Sequence, residues 1–150
     1  MTRSKRFEPI QEIAASSAQE LSKTMGEAAR RVADLERQLA QLTAYRDEYL
    51  GTATANGGSI DAVKLQNYRS FLDRLGEALR QHLTKLDSAR ADYERRRSQW
   101  SEKRIEAEAL DRAIDRFRKQ EQHVADQREQ REGDDAAMRI SLARADAGNT

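Results

Sequence analysis

A single spacing rule governs almost the whole chain. In the first half Ala14, Ala18, Leu21, Met25, Ala28, Val32, Leu35, Leu39, Leu42, Arg46 and Tyr49 follow one another at alternating intervals of three and four. Such alternation places every member on one stripe of an α-helix and defines a heptad seam. It is weak at its alanine-rich start and strong from Val32 onward. After a glycine-containing break the rule resumes with Leu65, Tyr68, Leu72, Leu75, Leu79, His82, Leu86, Ala89, Tyr93, Arg96, Trp100, Lys103, Ala107, Leu110, Ile114, Phe117, Glu121 and Val124. Two seams separated by one break leave few alternatives to a pair of long helices folded against each other.

The break is Gly51-Thr52-Ala53-Thr54-Ala55-Asn56-Gly57-Gly58-Ser59, where Asn-Gly and Gly-Gly supply the positive φ angles of a reversal. Ser59 is the expected N-cap of the second helix, with Asp61 in its first turn. No Gly-Lys-Ser/Thr follows the glycines, so the phosphate-cradling reading of this stretch loses to that of a connector. Pro9 fits the first turn of the first helix. Residues 10–50 and about 60–132 are therefore the expected helices of a single coiled-coil hairpin, all-α and antiparallel, with the second helix longer. Gly26 costs the first helix about 1 kcal/mol relative to alanine without ending it. Ile10 and Ile13 lie one position off the seam, which predicts splayed or rotated first turns. Gly133 opens an expected frayed or disordered tail over residues 133–150.

Composition supports helices over a globule. Charged residues make up 35% of the 150, aromatics 5%, and there is one proline; abundant Ala, Leu, Glu, Arg and Gln accompany long helices. Disorder also favours high charge, but a net charge of +1 and the sustained seam oppose it. The absence of cysteine removes disulfides and thiolate metal sites. No apolar run approaches the ~18 residues of a membrane span, and the basic start Met1-Thr2-Arg3-Ser4-Lys5-Arg6 lacks the apolar stretch of a signal peptide. Balanced charge argues against nucleic acid as a partner. Arg95-Arg96-Arg97, flanked by Asp92, Glu94 and Glu102, reads as a solvated helix face. His82 and His123 are too far apart along one helix to form a metal pair. Acidic residues fall at helix-surface spacing, where pairing with Arg and Lys is their usual role. No catalytic constellation, metal site or cofactor site is expected.

An antiparallel pair brings together seam residues whose numbers have a constant sum. A turn near Ala55 gives a sum near 114, joining Leu42 to Leu72, Leu39 to Leu75, Leu35 to Leu79, Ala28 to Leu86, Met25 to Ala89, Leu21 to Tyr93 and Ala14 to Trp100. A shift of seven residues satisfies the heptads equally. The first helix would span roughly 60 Å and the second about 105 Å. At a sum of 114 the seam beyond residue ~105 lacks an intramolecular partner, leaving Leu110, Ile114, Phe117 and Val124 as a stripe for another protein. Residues 1–10 extending the first helix, or a homodimer, would cover it instead.

With Val32 and Leu65 at position a, residues Gln38, Tyr45, Phe71 and Ala78 all fall at g. The g positions of antiparallel helices flank one side of the seam. They form a strip beside Leu42, Tyr49, Leu75 and His82, with two rings at partly exposed positions, as at binding hot spots. Rings folded over the seam to widen it are the alternative. The opposite edge holds Glu36, Thr43, Leu50, Arg69, Gly76 and Leu83 and has no aromatic. His82, on the seam, reads as a polar register-setting residue.

Leu39-x-x-Leu42-x-x-Tyr45-Arg46-x-Glu48-Tyr49, the glycine-bearing turn, and Asn67-Tyr68-x-x-Phe71-Leu72-x-x-Leu75 resemble the flagellar export protein FliJ family. Trp100 and Glu129-Gln130-Arg131-Glu132-Gly133-Asp134-Asp135-x-Ala137 extend the resemblance over about Ser4 to Ala137. Gly133 departs from it, standing where the family usually has an apolar residue. The resemblance implies a non-enzymatic, cytoplasmic component of the bacterial flagellar type III export apparatus, peripherally associated with the inner membrane at the flagellar base. Family members are antiparallel coiled coils similar to the central stalk of rotary ATPases. It further implies as partners the export ATPase hexamer, the cytoplasmic linker of the export-gate membrane protein FlhA, and export chaperones. Residues matching the family's gate contact are Gln38, Leu42, Tyr45, Tyr49, Phe71, Leu75, Ala78 and His82. An injectisome stalk, or a homodimeric cytoplasmic scaffold without ATPase contact, shares the same periodicity.

Overall fold

A computed structural model describes residues 1–55 and 62–149. Its elements are two helices, α1 (Arg3–Ala55) and α2 (Ala62–Gly148), with no strand among the described residues. The expected N-cap Ser59 and first-turn Asp61 lie outside the described residues. The helices divide into two compact units, one of residues 18–102 and the other of residues 1–17 with 103–150.

In the unit of residues 18–102, antiparallel segments of α1 and α2 bury the seam. Leu35, Leu86 and Ala89 form its core cluster, with Val32 and Leu39 packed against them. Leu86 is the deepest side chain, at 2% exposure. Leu35 and Leu86 sum to 121, as do Val32 and Ala89. The helices thus meet one heptad away from the 114 register, in the arrangement that the same heptads allow. His82 Nε2 donates to the Leu35 carbonyl at 2.9 Å, and Arg90 bridges to Glu36 at 3.2 Å; both contacts fit the shifted register. The cause lies at the break. Gly51 and Thr52 remain helical, with the Thr52 hydroxyl donating to the Glu48 carbonyl at 3.0 Å. A glycine weakens a helix but does not end one when the flanking turns hold. α1 therefore runs on to Ala55, past its expected end at residue 50, and each half-heptad by which a reversal moves along the chain changes the pairing sum by seven.

The second unit corrects three further expectations. First, α1 begins six residues before Pro9. Thr2 caps it: its carbonyl accepts from the Arg6 amide at 3.2 Å and its hydroxyl from the Lys5 amide at 3.4 Å. Pro9 has no N–H to contribute and is exposed, a loss of ~3 kcal/mol in a helix interior. What holds the preceding turn is α2. The Glu121 carboxylate accepts from the Ser4 amide at 3.0 Å and the Ser4 hydroxyl at 2.7 Å. Phe7 packs on Phe117 at 5.4 Å between centroids, Arg3 lies 5.3 Å over the Phe117 ring, and Arg118 bridges to Glu8 at 2.7 Å.

Second, the first turns do not rotate. Ile10 and Ile13 stay exposed while the seam continues backward from Ala14 through Gln11, Phe7 and Ser4. Third, the stripe beyond residue 105 is mostly filled from within. Ile114 is buried, Leu110 half-buried and Phe117 covered by Phe7; Val124 alone of the four is exposed. The earlier start of α1 supplies the partner that a helix beginning at Pro9 lacks. At the other end, α2 runs through Gly133 to Gly148 with its side chains exposed from Gln122 onward.

Two outcomes test this packing. A Leu35→Cys/Leu86→Cys pair will form an intramolecular disulfide under mild oxidation, and Leu39→Cys/Leu75→Cys will not; the reverse result on a non-reducing gel restores the 114 register. The Ser4 amide and hydroxyl hold the Glu121 carboxyl below its usual range. Because the folded value is lowered, the stabilisation is present at neutral pH and is lost as pH falls below about 4.5 through the folded value. Glu121→Ala will therefore accelerate amide hydrogen exchange at residues 4–8 at pH 7, and the difference from wild type will shrink toward pH 3.

Candidate docking site

The candidate residues lie in the unit of residues 18–102, where position on the heptad decides what each can do. Leu42 and Tyr49 are seam residues and half-buried, Leu75 is buried, and His82 is half-buried with its Nε2 committed to the Leu35 carbonyl. Gln38, Tyr45 and Ala78 are exposed, and Phe71 is half-buried. The eight thus separate into a supporting row and a presented row.

The presented row is organised by its rings. Tyr45 is 52% exposed and stands edge-on to Phe71 at 6.0 Å with an interplanar angle of 73°. Phe71 also leans on Tyr49 at 4.4 Å, and Tyr49 stacks on Tyr68 at 5.1 Å and 16°. Each link joins α1 to α2, and the shift in pairing does not disturb it, since displacement by a whole heptad returns every g residue to the same edge. Offset and edge-on ring pairs contribute ~0.5–1.5 kcal/mol beyond their buried area. The rings consequently brace the helices and, at Tyr45, present an aromatic face to solvent. The sequence pattern left the two roles as alternatives, and here they fall to different rings: Tyr49 and Tyr68 stack between the helices, while Tyr45 projects.

Farther along the same edge the surface turns polar. A shallow cleft of about 510 Å³ is lined by Glu27, Arg30, Arg31, Asp34, Leu35, Gln38, His82 and Lys85. Asp92, on this edge, accepts from Arg96 and Arg95, both at 2.9 Å, and these bonds hold its carboxyl below the usual range. The other edge is bridged by Glu36–Arg90. No cluster of three or more His, Cys, Asp or Glu able to hold a metal ion occurs among the described residues. An aromatic patch grading into paired charges along a convex helix surface suits macromolecular contact. The bond from His82 to a backbone carbonyl is the feature that periodicity missed, because a seam histidine signals polarity and not its acceptor.

Fold and surface together define an all-α coiled-coil protein with an aromatic edge beside its seam. The model of the flagellar FliJ protein family matches residues 3–146, and the chain belongs to that family. It is accordingly a component of the flagellar export apparatus, in a family of non-catalytic export proteins. No curated protein and no solved structure matches the chain. Among the described residues no helix is long and apolar enough to cross a membrane.

The division between braces and presented groups has a measurable consequence. Tyr49→Ala will lower unfolding stability by ~2 kcal/mol or more through loss of two ring contacts, whereas Tyr45→Ala will cost about 1 kcal/mol or less. Urea denaturation followed by circular dichroism at 222 nm distinguishes them.

Proposed function

We propose that this protein is the stalk of the flagellar type III export ATPase complex, promoting assembly and activity of the ATPase ring and linking it to the export gate and to export chaperones. The observation that carries the reading is the family match over residues 3–146, supported by an aromatic edge at positions that resemble the family's gate contact. On this reading Gln38, Tyr45, Phe71 and Ala78 touch the cytoplasmic linker of FlhA. Leu42, Tyr49, Leu75 and His82 act mainly by holding those four in place. The unit of residues 1–17 and 103–150 faces the ATPase. The direct ATPase contact moves outward from the stripe assigned by periodicity, because Ile114 and Phe117 are occupied, to Val124 and the exposed surface of α2 beyond it.

The protein would then work in the cytoplasm against the inner membrane without entering it. A pair of helices suits such a role: its seam supplies the stability while its edges carry the specificity.

Purified protein mixed with the export ATPase will raise ATP hydrolysis several-fold and increase the hexamer fraction in sedimentation. No change in either overturns the stalk reading. Tyr45→Ala/Phe71→Ala will lose binding to the FlhA linker in a pull-down while keeping its helical circular dichroism and its stimulation of the ATPase. Retained linker binding removes the gate assignment without touching the rest.

A further inference from the structure

The first turns of α1 are joined to the rest of that helix less firmly than to α2. Pro9 has no N–H, so the Lys5 carbonyl lacks the donor that any other residue would supply, and the proline ring crowds that carbonyl. The ladder of α1 is therefore weakened where residues 3–8 meet the turn that follows. Beyond Pro9, Ile10 and Ile13 are exposed, and the next closely packed side chain is Ala14, at 4% exposure. Between Phe7 and Ala14 the seam holds only Gln11, which is half-buried.

What keeps residues 3–8 in place is a short set of contacts to one patch of α2. Glu121 accepts from the Ser4 amide and hydroxyl, Phe7 meets the Phe117 ring, Arg3 lies over that same ring, and Glu8 bridges to Arg118. The Glu8–Arg118 pair is solvated and adds little, so the hold rests mainly on Ser4 and Phe7. Charge works against closure. Residues 3–8 carry Arg3, Lys5 and Arg6 against Glu8, and α2 from Asp115 to Gln122 carries Arg116, Arg118 and Lys119 against Asp115 and Glu121. Two segments of like net charge are thus held together by one ring pair and two carboxylates. A segment with few anchors and a weakened junction opens more readily than the structure around it.

We propose that residues 3–8 are a releasable strap that turns about Pro9 as one piece while α1 from Ala14 onward stays packed. Release uncovers Phe117 and joins it to the exposed Val124 in one apolar stripe. The two residues are one heptad apart on the same face of α2, or roughly 10 Å along the helix. With the strap closed, the chain's own Phe7 covers Phe117 and only Val124 is presented, at 55% exposure. A helix that packs on Val124 reaches Phe117 only when the strap is open. Such binding therefore favours release, and the closed strap weakens such binding by the same factor. The device is a property of this chain alone and does not depend on its reading as an export stalk.

The chain has no cysteine, so a single introduced thiol reports opening at its own position. Full-length Ser4→Cys and Ala14→Cys, at sites equally buried at 4% exposure, are labelled with iodoacetamide and followed by mass spectrometry. Ser4→Cys will label at least tenfold faster than Ala14→Cys. Pro9→Ala, which restores a donor to the Lys5 carbonyl, will slow labelling of Ser4→Cys at least threefold. Glu121→Gln will speed it, and neither change will alter Ala14→Cys. Equal rates at the two thiols, or a Ser4→Cys rate indifferent to Pro9→Ala, overturns the strap. Amide exchange in the unsubstituted chain is the second measurement. Ser4, Lys5, Phe7 and Glu8 will exchange at one rate within about threefold, with a step to slower exchange from Ile10 onward. A smooth gradient from Ser4 to Ala14 is ordinary fraying of a helix end and equally overturns the proposal. With the phenylalanines fluorinated at the para position, Ser4→Asp sets a second carboxylate against Glu121 and will move the Phe117 fluorine resonance to its solvent-exposed value. The Phe71 resonance will stay in place; an unmoved Phe117 resonance sinks the uncovering.

Discussion

The contact between Leu35 on α1 and Leu86 with Ala89 on α2 is what the unit of residues 18–102 depends on. A two-helix seam has no thick core to share a loss, so each layer of side chains is a large fraction of the burial at its level. Polar members of the seam refine what the leucines begin. His82 donates to a backbone carbonyl of the opposite helix, and a slip by a whole heptad would bring an equivalent carbonyl to it. Since an unsatisfied polar group costs more than a satisfied one contributes, the histidine opposes shifts smaller than a heptad and leaves whole-heptad slips open. Hydrophobic burial supplies affinity between the segments, and the histidine fixes the phase in which their faces meet.

That division explains how far the sequence could be read. Of the eighteen α2 residues from Leu65 to Val124 placed on the seam by spacing, only the first and last are exposed. Periodicity reports the face of a helix directly, because side-chain direction repeats every 3.6 residues. Pairing is another matter. Heptads repeat, so a shift of seven residues leaves every face unchanged, and a shift was possible while the limits of the break were open. The edges survived for the same reason: Tyr45 and Phe71 occupy g whichever heptads are paired. The match of Gln38, Tyr45, Phe71 and Ala78 to one strip was therefore legible, whereas which of the rings braces and which presents required coordinates.

Before Pro9 the sequence misled on different grounds. Local propensity places a proline in the first turn, and the one local signal of an earlier start, Thr2 as an N-cap, does not outweigh it. The decisive contacts come from more than one hundred residues away, through Glu121, Phe117 and Arg118. Glu121 is instructive in particular. A charge on a seam ordinarily lowers stability, yet its carboxylate takes up the Ser4 amide and hydroxyl at the positive end of the α1 dipole. A residue that weakens a seam by its polarity can terminate that seam well, since the first amides of a helix need acceptors.

Beyond Glu121 every described side chain of α2 is exposed as far as Asn149. That stretch is held by its own backbone ladder and by neighbouring side chains, with no apolar burial to add to them. Cooperativity with the seam ends there, because opening a turn at Gly133 breaks no contact elsewhere. The free energy of opening along this stretch is set by intrinsic propensity and falls toward the end of the helix. Its order is thus decoupled from the order of the two packed units, and a binding partner could raise or lower its helicity without altering a single seam contact.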